Sequence, residues 1–136
     1  MKGRCPMLKK LLIILSAVCV LGLAAPQALA EGFSTVIEDL PIMDGMAERE
    51  DLVVVFDTPE GRIVETTLET AAGPQQVLTY YRRTLTQLGW KPVGTSEKFY
   101  LREKEAMSID VQRNPAADAY GAENAYIVTF KISPRR

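Results

Sequence analysis

Chemistry in this 136-residue chain has to be built without histidine, and its two cysteines, Cys5 and Cys19, both precede residue 30. A nucleophilic triad or dyad needs an activated Ser or Cys beside a base, usually His. Past residue 30 that class is therefore excluded, and the common zinc sites with it. Carboxylates remain. Asp57 and Glu60 flank a turn, and Glu65 and Glu69 share a strand face, which is the kind of pairing a glycosidase uses as acid and base. A solvated, charge-decorated hairpin calls for the same residues. Asp44, Glu48, Glu50 and Asp51 could offer oxygen ligands to a divalent cation, although they lack the alternating spacing and the glycine of a calcium loop. Ser96 and Lys98 are near enough for a Ser–Lys pairing, as neighbouring turn residues often are. The glycines are scattered singly, so there is no phosphate-cradling loop. No cofactor, no metal and no catalytic residue is expected.

Binding chemistry has the better case. Tyr80, Arg82 and Arg83 lie off or at the margin of an apolar helical stripe. With Trp90 and Tyr100 they could form an aromatic and cationic surface for a peptide, glycan or anionic partner. Arg and aromatic side chains are those that concentrate binding energy at interfaces. Leu40 and Met43, in the run DLPIMDGM from Asp39 to Met46, are further candidates. That run is too apolar for a free tail, so it either staples onto the domain or recognises a partner.

The element that must position these groups is a helix over Gly73–Trp90. Val77, Leu78, Tyr81, Leu85 and Leu88 recur at the 3.6-residue period of a buried stripe. Gly73 and Pro74 suit the cap and first helical position, and Gly89 suits the left-handed residue that ends a helix. Trp90 is expected to fold back onto Leu85. Before it, Leu52–Phe56 (LVVVF) is the strongest strand in the chain, dense in β-branched residues. A turn at 57–61 joins it to a second strand, Arg62–Thr70. After it, Lys91–Val93 carries Pro92 and belongs at an edge or is not a strand. Phe99–Glu103 and the alternating Met107, Ile109 and Val111 make a second hairpin about Lys104-Glu105, residues 114–122 read as a loop, and Ala125–Ile132 closes the sheet. The expected class is α+β, one helix on one face of a mostly antiparallel sheet, in the order β-β-α-β-β-β.

The first thirty residues read as a cleavable signal peptide. Lys2, Arg4, Lys9 and Lys10 precede an apolar run from Leu11 to Ala25, and Ala28-Leu29-Ala30 supplies the small residues of a cleavage site. The run is short of the ~20 residues a membrane span wants. Residues 31–51 are then an amino-terminal arm and 52–136 a single domain. Four of the sixteen basic residues and none of the seventeen acidic ones lie in the leader, so the remainder carries a net charge of −5. Such a balance gives no electrostatic case for nucleic acid, and no membrane association is expected after cleavage.

The segments DLPIMDGM, VVVFDTPEGRIVE, VLTYYRRTLTQLGW and FYLREKEAMSIDV together resemble a family of small secreted bacterial proteins marked by DLPxMxG, FDxPxGRI and FYxxxLxxLGW motifs. Tyr80 stands where that pattern has Phe before Tyr81. The resemblance implies a periplasmic address and a single domain, and it implies no activity. The expectation is a non-enzymatic module of the periplasm or envelope that binds another protein or a cell-wall component. The alternatives are a carboxylate-dependent hydrolase acting on glycans, and an enzyme inhibitor or chaperone accessory.

Overall fold

The helix begins and ends where its caps dictate. In a computed structural model, which describes residues 32–120 and 123–135, α1 spans Pro74–Gln87. Gly73 is its N-cap and Pro74 occupies the first turn, where a missing N–H costs nothing. At the other end the Trp90 N–H donates to the Leu85 carbonyl at 3.0 Å and the Gly89 N–H to Thr86 at 3.2 Å. Gly89 has φ +86°, so this is the paired Schellman ending, made without a Cβ penalty. Val77, Tyr81, Leu85 and Trp90 are buried. Leu88 is not part of that stripe: it sits at the C-cap, outside regular helix, and is 36% exposed.

Among the described residues, seven strands form one antiparallel sheet: β1 Met46–Glu48, β2 Val54–Thr58, β3 Gly61–Thr70, β4 Lys91–Pro92, β5 Phe99–Arg102, β6 Glu105–Arg113 and β7 Tyr126–Pro134. The spatial order is β1-β3-β7-β6-β5-β4, with β2 also pairing β3. β1 and β2 lie one after the other along the same side of β3, facing Leu68–Thr70 and Gly61–Glu65. Between them a single 3-10 turn, Glu50–Leu52, takes up the extra length. The fold is thus mixed α+β and mostly sheet, and residues 31–136 form one compact unit.

Register explains the core. Val64, Thr66 and Leu68 on β3 stand opposite Ile132, Phe130 and Val128 on β7, which in turn stand opposite Met107, Ile109 and Val111 on β6. Alternate residues share a face, so these side chains make one layer. All are buried except the half-buried Val111. The Tyr81 ring meets Phe130 edge-on at 4.7 Å, which brings α1 into that layer.

Four expectations change at this point. The LVVVF strand is displaced to Val54–Thr58, and Val54, Val55 and Phe56 remain 43–49% exposed. The arm, described from residue 32, adds a strand of its own, Met46–Glu48, and staples Ile37, Leu40 and Met43, 1–6% exposed, into the core. The second hairpin turns at Glu103-Lys104, one residue early, because Arg102 pairs with Glu105 and Glu103 takes φ +50°. The stretch read as a loop holds a short helix, α2, Pro115–Tyr120. Asn114 starts it, accepting the Ala116 N–H on Oδ1 at 3.0 Å and donating Nδ2 to the Asn124 carbonyl at 3.0 Å. The leader expected over residues 1–30 lies outside the described residues.

Candidate functional site

The arm reaches the helix through one phenol. Tyr81 Oη donates to the Pro41 carbonyl at 3.0 Å and accepts the Met43 N–H at 3.4 Å, with Met46 Sδ at 3.6 Å. Burial, the largest influence, pushes this phenol's pKa up, and it stays a neutral donor. The DLPIMDGM run is therefore pinned over α1. The Met46 N–H donates back to Met43 at 3.0 Å, and Gly45 takes φ +78° between them.

Its other anchor is Glu48. This carboxylate accepts Ser34 Oγ at 2.6 Å, Thr66 Oγ1 at 2.7 Å, and the Thr35 hydroxyl and backbone N–H at 2.8 and 2.9 Å. Burial alone would raise its pKa. The hydrogen bonds from Ser34, the Thr35 backbone, Thr66 and the Thr35 hydroxyl outweigh it and hold the group below the ordinary 4.5. The arm, β1 and β3 are joined at this single group.

Where arm and helix meet, the surface hollows into a depression of about 720 Å³. Met43 and Asp44 come from the arm; Gln75, Gln76, Thr79, Tyr80 and Arg83 come from successive turns of α1. Their spacing of three and four places them on one helical stripe. The volume falls within the range of small-ligand sites. The lining offers an aromatic ring, a guanidinium, a carboxylate, two carboxamides and a hydroxyl around an apolar methionine. Tyr80 stands edge-to-face with Tyr81 at 5.0 Å, which limits how its ring can turn. Gln75 Nε2 donates to Thr79 Oγ1 at 3.4 Å.

The sequence-derived surface thus divides. Met43, Tyr80 and Arg83 come together in this depression. Arg82 instead pairs with Glu97, whose backbone carbonyl accepts the Tyr100 hydroxyl at 3.0 Å. Tyr100 and Leu40 are 0% and 1% exposed, so both serve the core. Trp90 is 2% exposed and covered by Arg102, whose guanidinium lies 4.4 Å from the ring centroid. These three side chains offer nothing to a visitor, because the apolar layer has already claimed them. Gln75, Gln76 and Thr79 were not singled out from the sequence. Their offsets of three and four from Tyr80 and Arg83 were the available signal.

The carboxylate pairs are spread out. Glu65 lies 3.9 Å from Lys131, and Glu69 is held at 2.6 Å by Arg49. Four residues apart on one strand face, they stand roughly 13 Å from each other along β3, beyond the ~5–9.5 Å of a glycosidase pair. Asp57 is opposite Arg62, and Glu60 is in the two-residue hairpin turn. Asp51 is bound to Arg49 at 2.8 Å and Lys98 lies 3.9 Å from Asp110. No group of three or more Asp or Glu side chains converges as a metal site would require among the described residues. Two other depressions, of about 710 and 570 Å³, lie against β4–β5 and beside the β2–β3 turn. Of the residues offered from the sequence as catalytic, metal-ligating or partner-binding candidates, Glu60 alone lines either of these two. No helix among the described residues is long and apolar enough to cross a membrane. No family model, curated protein or solved structure matches the chain.

Proposed function

We propose that this protein is a non-catalytic binding module of the bacterial envelope. It is exported by a leader cleaved after Ala30, belongs with the secreted family whose motifs it resembles, and takes a cell-wall component or an envelope protein. In this reading the helix and the arm close one face of the sheet, and the seam between them is the recognition site. The observation that carries it is the 720 Å³ depression, which gathers Met43, Tyr80 and Arg83 with four polar side chains. Such a surface sets an aromatic side chain among bidentate-capable hydrogen-bonding groups, which suits a polar, partly apolar ligand. The separation of Glu65 from Glu69 and their cationic partners weigh against the hydrolase alternative.

The test is a two-dimensional NMR titration of the purified protein with solubilised cell-wall fragments and with envelope extract. Resonance shifts confined to Thr79, Tyr80, Arg83 and Asp44, and lost in Arg83→Ala, are the expected result. Arg83 is exposed, so this variant keeps its fold. Shifts centred elsewhere, or binding unaltered by Arg83→Ala, would remove the depression from the mechanism.

A further inference from the structure

Two charges of opposite sign, Asp44 and Arg83, line the depression between arm and helix, and both are exposed. Neither belongs to an ion pair among the described residues, whereas Arg82, one position earlier, pairs with Glu97. At physiological salt, screening acts over about 8 Å, so a ligand seated in this hollow feels both charges. An anion alone meets repulsion from Asp44, and a cation alone meets it from Arg83. A neutral glycan takes water from both and returns a counter-charge to neither. A molecule carrying both an ammonium and a carboxylate satisfies the two at once.

The rest of the lining suits an amide chain between those two groups. Gln75 and Gln76 each offer a carbonyl acceptor and an NH2 donor, the complement of a peptide N–H and C=O. The Gln75–Thr79 bond is long, at 3.4 Å, and is readily exchanged for one to a ligand. Tyr80 and Met43 supply apolar contact for a small side chain. From Gln75 to Arg83 the helical stripe rises about 12 Å, the reach of an extended chain of about three or four residues. A free amino acid is too short for that length and has no amide to offer the carboxamides. Taking this seam as the recognition site, we infer that its ligand is a short peptide with both ends free. The peptide carboxylate pairs with Arg83 and its ammonium with Asp44.

Two-dimensional NMR titration of the purified protein with trialanine, to about 20 mM, tests this beside N-acetylated trialanine, trialanine amide and a chitin oligosaccharide. Trialanine should shift the Asp44, Thr79, Tyr80 and Arg83 resonances, and either cap should weaken its binding about three- to fivefold. Asp44→Asn should abolish the penalty of the acetyl cap alone, and Arg83→Gln that of the amide cap alone. A merely structural role for either residue would not produce that exchange. Both positions are exposed, so the variants keep the fold. Caps that change nothing while the same resonances shift overturn the inference, and leave the depression a binding site for other chemistry. Trialanine that shifts nothing there, while the oligosaccharide or cell-wall fragments do, has the same meaning. If no probe moves these resonances, the peptide and the recognition seam fall together.

Discussion

Replacing Glu48 by Gln tests whether the arm is held by charge. The substitution keeps the shape of the side chain and one acceptor oxygen, but turns an NH2 group toward hydroxyl and amide donors. Of the four hydrogen bonds, the two from Thr35 are exposed and count for little. Those from Ser34 and Thr66 are partly buried. A hydrogen bond to a charged group contributes about 1.5–3 kcal/mol, and Gln retains part of each. The expected loss is ~2 kcal/mol, equivalent to roughly 8–15 °C in Tm for a domain of this size. Scanning calorimetry at pH 7 measures it. The sign with pH follows from the lowered pKa. The carboxylate's contribution is fully present above the unfolded value near 4.5 and is lost as pH falls through the lower folded value. Wild type and variant should therefore converge progressively as the solution is acidified below the unfolded value of 4.5. A Tm within a degree or two of wild type at pH 7, or a gap that stays constant down to pH 3, refutes the reasoning.

Other outcomes follow from the same contacts. Tyr81→Phe leaves the Pro41 carbonyl and Met43 N–H without their partner and should cost about 1–2 kcal/mol in urea unfolding, with faster amide exchange in residues 40–46. Trp90→Ala removes a side chain only 2% exposed, together with the Arg102 contact; about 3–5 kcal/mol should be lost, and an unchanged melting temperature would contradict its placement.

Punctuation made the helix legible. Gly73-Pro74 and Gly89-Trp90 state its limits, and the stripe of Val77, Tyr81 and Leu85 states its buried side. Leu88 failed because apolar spacing cannot tell the last helical turn from the cap beyond it. The apolar run at Leu52–Phe56 announced a strand but not its neighbours: β-branched residues favour extended backbone whether the strand is central or marginal. Glu48 was hidden for a different reason. Within Glu48-Arg49-Glu50-Asp51 it reads as solvated charge, and its partners lie 13 to 18 residues away, brought together only once arm and sheet have met. The depression was half visible. Tyr80 and Arg83 stood out by type, whereas Gln75, Gln76 and Thr79 are ordinary helix-surface residues until Met43 is laid beside them.

β7 is the last of the seven strands in sequence, yet it lies between β3 and β6 and pairs with both along most of its length. Until it arrives, those two strands have no common neighbour, and the halves of the sheet cannot be joined. The chain is thus assembled around its latest-made piece, through contacts that span much of the sequence, and such topologies reach the native state slowly. During that interval β3 and β6 each keep a hairpin partner of their own, but no strand lies between them to make the two hairpins one sheet.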